Sequence, residues 1–168
     1  MSQDYESFKI WYIEPLRKLE EMPSGQGGFI ALATSCFLFE RYAVAILNSQ
    51  GKKADRAGKV GQLSKEFSID IETANTFWNV IRNGMLHQGM PLHNENLLSC
   101  SFHHTYPAIA LIKKDGGRIL IVQPWKFTDR VLELWINNIH LIKSSGSFPW
   151  AAIGPVPTYE DSVTIPQK

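Results

Sequence analysis

Residues 29–47, FIALATSCFLFERYAVAIL, are the most apolar stretch of the chain, and they constrain its fold more than any other segment. The stretch is close in length to a bilayer-spanning helix. Glu40 and Arg41 lie inside it, however, and charges near a bilayer centre are costly. A helix over about 27–48, apolar on most sides, fits the centre of a soluble bundle, wrapped by its neighbours. Buried charges are normally paired. The ordinary outcome for Glu40 and Arg41 is a salt bridge; a sharper one has Glu40 orienting Arg82 from the neighbouring helix.

The chain has 168 residues, enough for one domain with a real core. Before the central helix, Phe8, Trp11, Tyr12, Leu16 and Leu19 recur at helical steps over 4–22, and Pro15 should kink or split that helix. PSGQGG at 23–28 is a turn cluster. NSQGKKADRAGKVG, 48–61, is polar and broken by glycine, and reads as a loop carrying Lys52, Lys53, Arg56 and Lys59 against Asp55. A short helix is expected near 61–67. Asp70 then caps a helix through IETANTFWNVIRNGMLH.

The pattern changes after Pro91. YPAIALIKKDGGRILIVQPW is two apolar runs around Asp-Gly-Gly, which predicts a β-hairpin over 106–123. Thr128 or Asp129 would cap a last helix, 128–143, with Val131, Leu132, Trp135, Ile136 and Ile139 as its apolar stripe. The tail, 145–168, contains Pro149, Pro155, Pro157 and Pro166, which exclude regular helix, and Trp150 would pin its first part to the body. The expected fold is mainly α: a single up-and-down bundle of about four or five helices over 1–144, with a hairpin inserted before the last.

Composition narrows the function. Net charge is +1, so no global field draws in nucleic acid or anionic lipid, and binding of RNA or phosphate must rest on a local patch. Cys36 and Cys100 make no disulfide framework, and MSQDYESFKIW lacks a basic region followed by an apolar run. A reduced, cytoplasmic setting away from membranes is the expectation.

The helix that ends in IRNGMLHQG is the most informative. With Ile81 as zero and about 100° per residue, Ala74, Phe77, Trp78 and Met85 fall within roughly 60° and define a buried stripe. Arg82 lies near 100°, Leu86 near 140°, Asn79 near 160°, Asn83 near 200° and His87 near 240°, all read as approximate angles on an ideal helix. The polar residues therefore face away from the core. Leu86 among them needs a cover, for which a second copy of the same helix is a candidate. The plain explanation is that Arg82 and His87 complement the helix C-terminal dipole and that Gly89 is the C′ stop.

Arg82-Asn83-x3-His87 closing an amphipathic helix resembles the Arg-x4-His motif of the HEPN superfamily. Arg82 and His87 match its two defining positions, and Asn83 matches the polar residue that often follows the arginine. The resemblance implies a metal-independent endoribonuclease with no cofactor. It also implies a homodimer in which the Arg82–His87 helix faces meet to build one composite site. RNA carries its own nucleophile, the 2′-hydroxyl. Catalysis then needs a group that exchanges a proton near neutral pH, the role of the His87 imidazole. It also needs positive charge on the phosphorane oxygens, the role of Arg82, while Asn83 orients the histidine or bonds the phosphate. Glu40, Arg41, Lys52, Lys53 and Arg56 are candidate substrate-binding residues.

A toxin or phage-defence role, with an antitoxin partner, is what the family suggests. Some toxin members carry a modified tyrosine two residues after the histidine; Gly89 stands there, which does not support that scheme. Alternatives are a non-catalytic module of the same kind that binds RNA, a nucleotide or a protein partner, and a purely structural dimer. His93, Cys100, His103 and His104 match no common zinc spacing, so no metal is expected there. Phosphate-loop, nucleophile-elbow, dinucleotide and zinc-protease motifs are absent from the sequence.

Overall fold

The computed structural model describes residues 3–89, 91, 96–100, 105–114 and 117–144. Its first helical rod comprises α1 (Gln3–Phe8), a π-turn segment (Lys9–Ile13) and α2 (Glu14–Glu20). Pro15 does not break this rod. The helix widens just ahead of it, where the proline can neither donate a hydrogen bond nor tolerate the carbonyl four residues back. The central helix, α3 (Gly28–Ser49), packs most extensively on the last helix and also meets α2 and α4. By length and composition it could cross a membrane, yet 56% of its most apolar window is buried inside the protein. It serves as the centre of a bundle.

The expected loop over 48–61 is corrected by α4 (Arg56–Phe67). Asp55 caps it, accepting from the Gly58 backbone N–H at 2.9 Å. Gly58 looked like a helix breaker but is a close-approach residue: a Cβ there would sit 2.5 Å from the Lys53 carbonyl oxygen. The loop thus shrinks to residues 50–55, and Arg56 and Lys59 become helical.

Asp70 caps the next rod as expected, accepting from Thr73 N at 2.7 Å and Thr73 Oγ1 at 2.9 Å. This rod runs as α5 (Ile71–Phe77), a second π-turn segment (Trp78–Asn83) and α6 (Gly84–Gln88). It stops at Gly89, whose φ of 71° lies in the left-handed region.

Three short strands follow. β2 (Ile109–Lys114) and β3 (Gly117–Val122) form the antiparallel hairpin, with Ile109 opposite Val122 and Lys114 opposite Gly117. β1 (Asn96–Cys100), a segment the sequence pattern left as loop, pairs parallel with β3 and makes β3 central. A five-residue strand with one apolar pair carries almost no alternation of its own; its pairing with β3 is set by tertiary structure. α5 packs against the hairpin.

The last helix, α7, spans Pro124–Ser144 and so begins four residues before the expected cap. Gln123 performs the capping: its Oε1 accepts from Lys126 N at 2.6 Å. Thr128 is instead buried inside the helix and accepts from Ser35 Oγ of α3 at 2.9 Å. Asp129 lies on the surface beside Arg17, at 2.7 Å. Trp125, near the start of α7, packs partly buried against the core. Trp150 and the rest of the proline-bearing tail lie outside the described residues, as do the His93, His103 and His104 positions.

α3 and α7 are joined by more than apolar contact. Trp135 Nε1 donates to the Leu38 carbonyl at 2.7 Å, and Phe8 of α1 stacks on the Trp135 ring at 4.9 Å. Phe127 stacks on Phe67 at 4.9 Å and meets Phe77 at 5.0 Å, so α4, α5 and α7 share one aromatic cluster. Beside that cluster Glu66 accepts from Tyr42 Oη (2.7 Å), Gln62 (2.7 Å) and Arg130 (3.0 Å). One carboxylate thereby ties α3, α4 and α7 together.

Ile136, expected in the buried stripe of α7, is 39% exposed; Leu134 takes a core place instead. Phe127→Ala should therefore cost about 3–5 kcal/mol, whereas Ile136→Ala should stay within about 0.5 kcal/mol of wild type. Urea unfolding midpoints of the two variants check this, and equal losses would refute this assignment of the α7 core face.

Candidate functional site

The site is built where α3, α4 and the second π-turn segment meet. Glu40 projects from the apolar α3 into this junction with its side chain only 20% exposed. A carboxylate so placed needs compensation, and two cations supply it. Lys59 of α4 donates to Glu40 Oε1 at 2.7 Å. Arg82 donates through both Nε, at 3.0 Å, and Nη2 to Glu40 Oε2. Both cations also lie over the Trp78 ring, Arg82 at 5.2 Å and Lys59 at 5.8 Å from its centroid. Burial alone would raise the Glu40 carboxyl; the hydrogen bonds from Lys59 and Arg82 outweigh it and hold the group below its ordinary value.

Arg82 is thus fixed within the monomer. Its Nη1 also donates to Asn83 Oδ1 at 2.9 Å. A guanidinium has five N–H donors, two on each terminal nitrogen. Nε is spent on Glu40, Nη2 has one N–H engaged by Glu40, and Nη1 has one engaged by Asn83. Among the described residues, one N–H on each terminal nitrogen has no acceptor.

The ideal-helix wheel placed Arg82 facing away from the core. In the structure its side chain is 19% exposed and rests on Trp78, itself a core residue. Trp78 and Arg82 are four residues apart and share one side of the rod, and Glu40 of α3 draws the guanidinium inward over the ring. The buried stripe of Ala74, Phe77, Trp78, Ile81 and Met85 stands as expected, and Val80 joins it. Asn83 and Leu86 are half-buried, and His87 is exposed in the last turn before Gly89. His87 has no hydrogen bond or ion pair among the described residues.

The other candidates divide. Arg56, at the head of α4, donates to Asn79 Oδ1 at 2.8 Å and so flanks the cluster. Arg41 is exposed on α3 and has no ion pair among the described residues, unlike its neighbour Glu40. Lys52 and Lys53 stay in the loop, where Lys53 meets Asp55 at 3.4 Å; neither bonds to the Glu40 group. Lys59 was legible only as one charge in a basic loop, and Trp78 only as core. Asp55 as an N-cap was the missed signal, since a helix starting at Arg56 puts Arg56 and Lys59 on one face.

Cys36 lies close enough to sense the charges of Arg82 and Glu40, but it is a buried thiol that burial pushes well above its usual range. Burial thus disfavours the reactive thiolate at this position. No group of three or more metal-ligating side chains occurs among the described residues. No family model, no curated protein and no solved structure matches the chain.

The arrangement can present a fixed cation to an anionic ligand and an imidazole to solvent on the same helical rod. Its integrity should depend on pH. The folded chain keeps Glu40 ionised to lower pH than the unfolded chain does, so the unfolded state binds more protons in that window. The stabilisation is present above the ordinary value of 4.5 and is lost as pH falls through the lowered folded value. Glu40→Gln should be less stable than wild type by about 1–3 kcal/mol at neutral pH. Urea titrations should show that gap closing as the pH is taken below 4.5; a gap independent of pH would contradict this role for Glu40.

Proposed function

We propose that this protein is a metal-independent endoribonuclease of the HEPN kind, acting as a homodimer through its Arg82–His87 helix faces. The reading rests on one observation above the others. Glu40 and Asn83 hold the Arg82 guanidinium in place while leaving one N–H on each terminal nitrogen for an acceptor, and His87 is exposed farther along the same rod.

In this mechanism Arg82 binds the non-bridging oxygens of the scissile phosphate and offsets the charge that builds in the phosphorane. An imidazole takes the proton of the 2′-hydroxyl as its oxygen attacks phosphorus. The bond from phosphorus to the 5′-oxygen breaks, and that oxygen takes a proton from the second imidazole of the dimer. The products are a 2′,3′-cyclic phosphate and a 5′-hydroxyl. Two-fold symmetry supplies a base and an acid from one residue type. A toxin or phage-defence setting, cytoplasmic and with an antitoxin partner, belongs to the same reading.

A non-catalytic module that binds RNA, a nucleotide or a protein partner is the second reading. It is favoured by His87, which is exposed and held as a base by no hydrogen bond or ion pair among the described residues. The two readings differ in a single assay. Purified protein incubated with mixed RNA and chelator should generate cyclic-phosphate and 5′-hydroxyl ends, and His87→Ala should slow cleavage by about 10²–10⁴-fold. Undiminished cutting by His87→Ala would remove His87 from the chemistry, and RNA left intact by wild type would leave the binding module.

A further inference from the structure

The α4 side of the site carries charge that the proposed chemistry does not use. Glu40 and Arg82 alone would form a neutral pair with little attraction for an anion. Lys59 on the other carboxylate oxygen returns one positive charge to the cluster. One turn earlier, Arg56 is held by Asn79, a neutral partner, and keeps its full charge. Asp55, the acid adjacent to it, is occupied by the Gly58 N–H and by Lys53.

The placement is ordered. Arg56 and Lys59 are three residues apart on α4; Asn79 and Arg82 are three residues apart on the facing rod. Two rungs therefore tie α4 to the facing rod, Arg56–Asn79 directly and Lys59–Glu40–Arg82 by way of α3, each with one cation uncompensated among the described residues. Their separation is about 4.5 Å along the helix axis. That is the rise between the two backbone positions, and the long side chains at these positions spread farther, enough to reach neighbouring phosphates of one strand. Trp78 beneath the second rung is only 3% exposed, so it gives no platform for stacking bases. This face is equipped for backbone rather than base.

We infer that α4 is the strand-holding wall of the site: Arg56 and Lys59 receive successive phosphates of one single-stranded RNA, and Lys59 also keeps the Glu40–Arg82 pair net cationic. Both are positioning residues that take no part in bond making or breaking. The ligand class is therefore an RNA strand rather than a mononucleotide, with little base preference along α4. This inference rests on the nuclease reading for the identity of the ligand.

The test uses the full chain with His87→Ala, so that the probe stays intact, and measures anisotropy of fluorescein-labelled single-stranded RNA across a salt series. Adenosine monophosphate is the control ligand, measured by calorimetry. On this background Arg56→Met and Lys59→Met should each weaken strand binding by about tenfold and flatten the log–log salt slope by about 0.7. Lys59→Arg should restore both, and monophosphate should bind far more weakly and be insensitive to Arg56→Met. Arg56 is exposed, so its variant tests the idea even if Lys59→Met folds poorly.

Wild-type affinity and slope in both Arg56→Met and Lys59→Met, with RNA still cut when His87 is kept, would overturn the inference and leave the nuclease reading standing. The expected slopes in a protein that never cuts would support the α4 wall and sink the nuclease reading. An absence of any RNA binding would overturn both.

Discussion

A carboxylate in the most apolar helix of the chain has to be neutralised, and the way Glu40 is neutralised organises much of this molecule. Its two oxygens take separate cations from separate elements, Lys59 of α4 and Arg82 of the α5–α6 rod. The same contacts that make a partly buried charge tolerable also fix the distance between three elements. Glu66 does the equivalent work about two turns farther along the same face of α4, through Tyr42, Gln62 and Arg130. Beside Glu66 lies the aromatic cluster of Phe39, Phe67, Phe77 and Phe127. The helix α4, short and otherwise mostly polar, is thus tied to α3, to α7 and to the α5–α6 rod.

That economy bears on how the site can act. An arginine on a long flexible stem loses conformational freedom when it binds a ligand. Here much of that loss occurs on folding, because Glu40, Asn83 and Trp78 already restrict Arg82. Preorganisation of this kind favours electrostatic catalysis and tight anion binding alike, which is why the imidazole, not the guanidinium, separates the two functional readings.

Much of the fold was legible in the sequence because its signals are local and periodic. The apolar run of α3, the cap at Asp70, the Asp-Gly-Gly hairpin and the Gly89 stop each announce themselves within a few residues. What escaped was decided by contacts made elsewhere. Gly58 resembles a loop residue until the Lys53 carbonyl is seen against it. Thr128 resembles a cap until Ser35 claims it, and Gln123, a poor cap by propensity, takes the role in its place. β1 exists because β3 pairs with it. At the candidate site, the Arg82, Asn83 and His87 positions could be read from the motif and the Glu40 partnership from the rule that buried charges pair. Lys59 could not, because its helix was hidden.

The π-turn at Trp78–Asn83 has a further consequence for how this sequence can vary. Such a widening behaves as one surplus residue lodged in a rod whose two ends are pinned, by Asp70 at one and Gly89 at the other. Losing that surplus residue would let the backbone return to ordinary winding with the downstream face close to its present direction, whereas a loss from regular helix swings everything beyond it by about 100°. Arg82, inside the widened turn, would shift against Glu40 more than His87 would shift against solvent. The rod is in this sense more tolerant of a one-residue deletion within this interval than of one elsewhere along it.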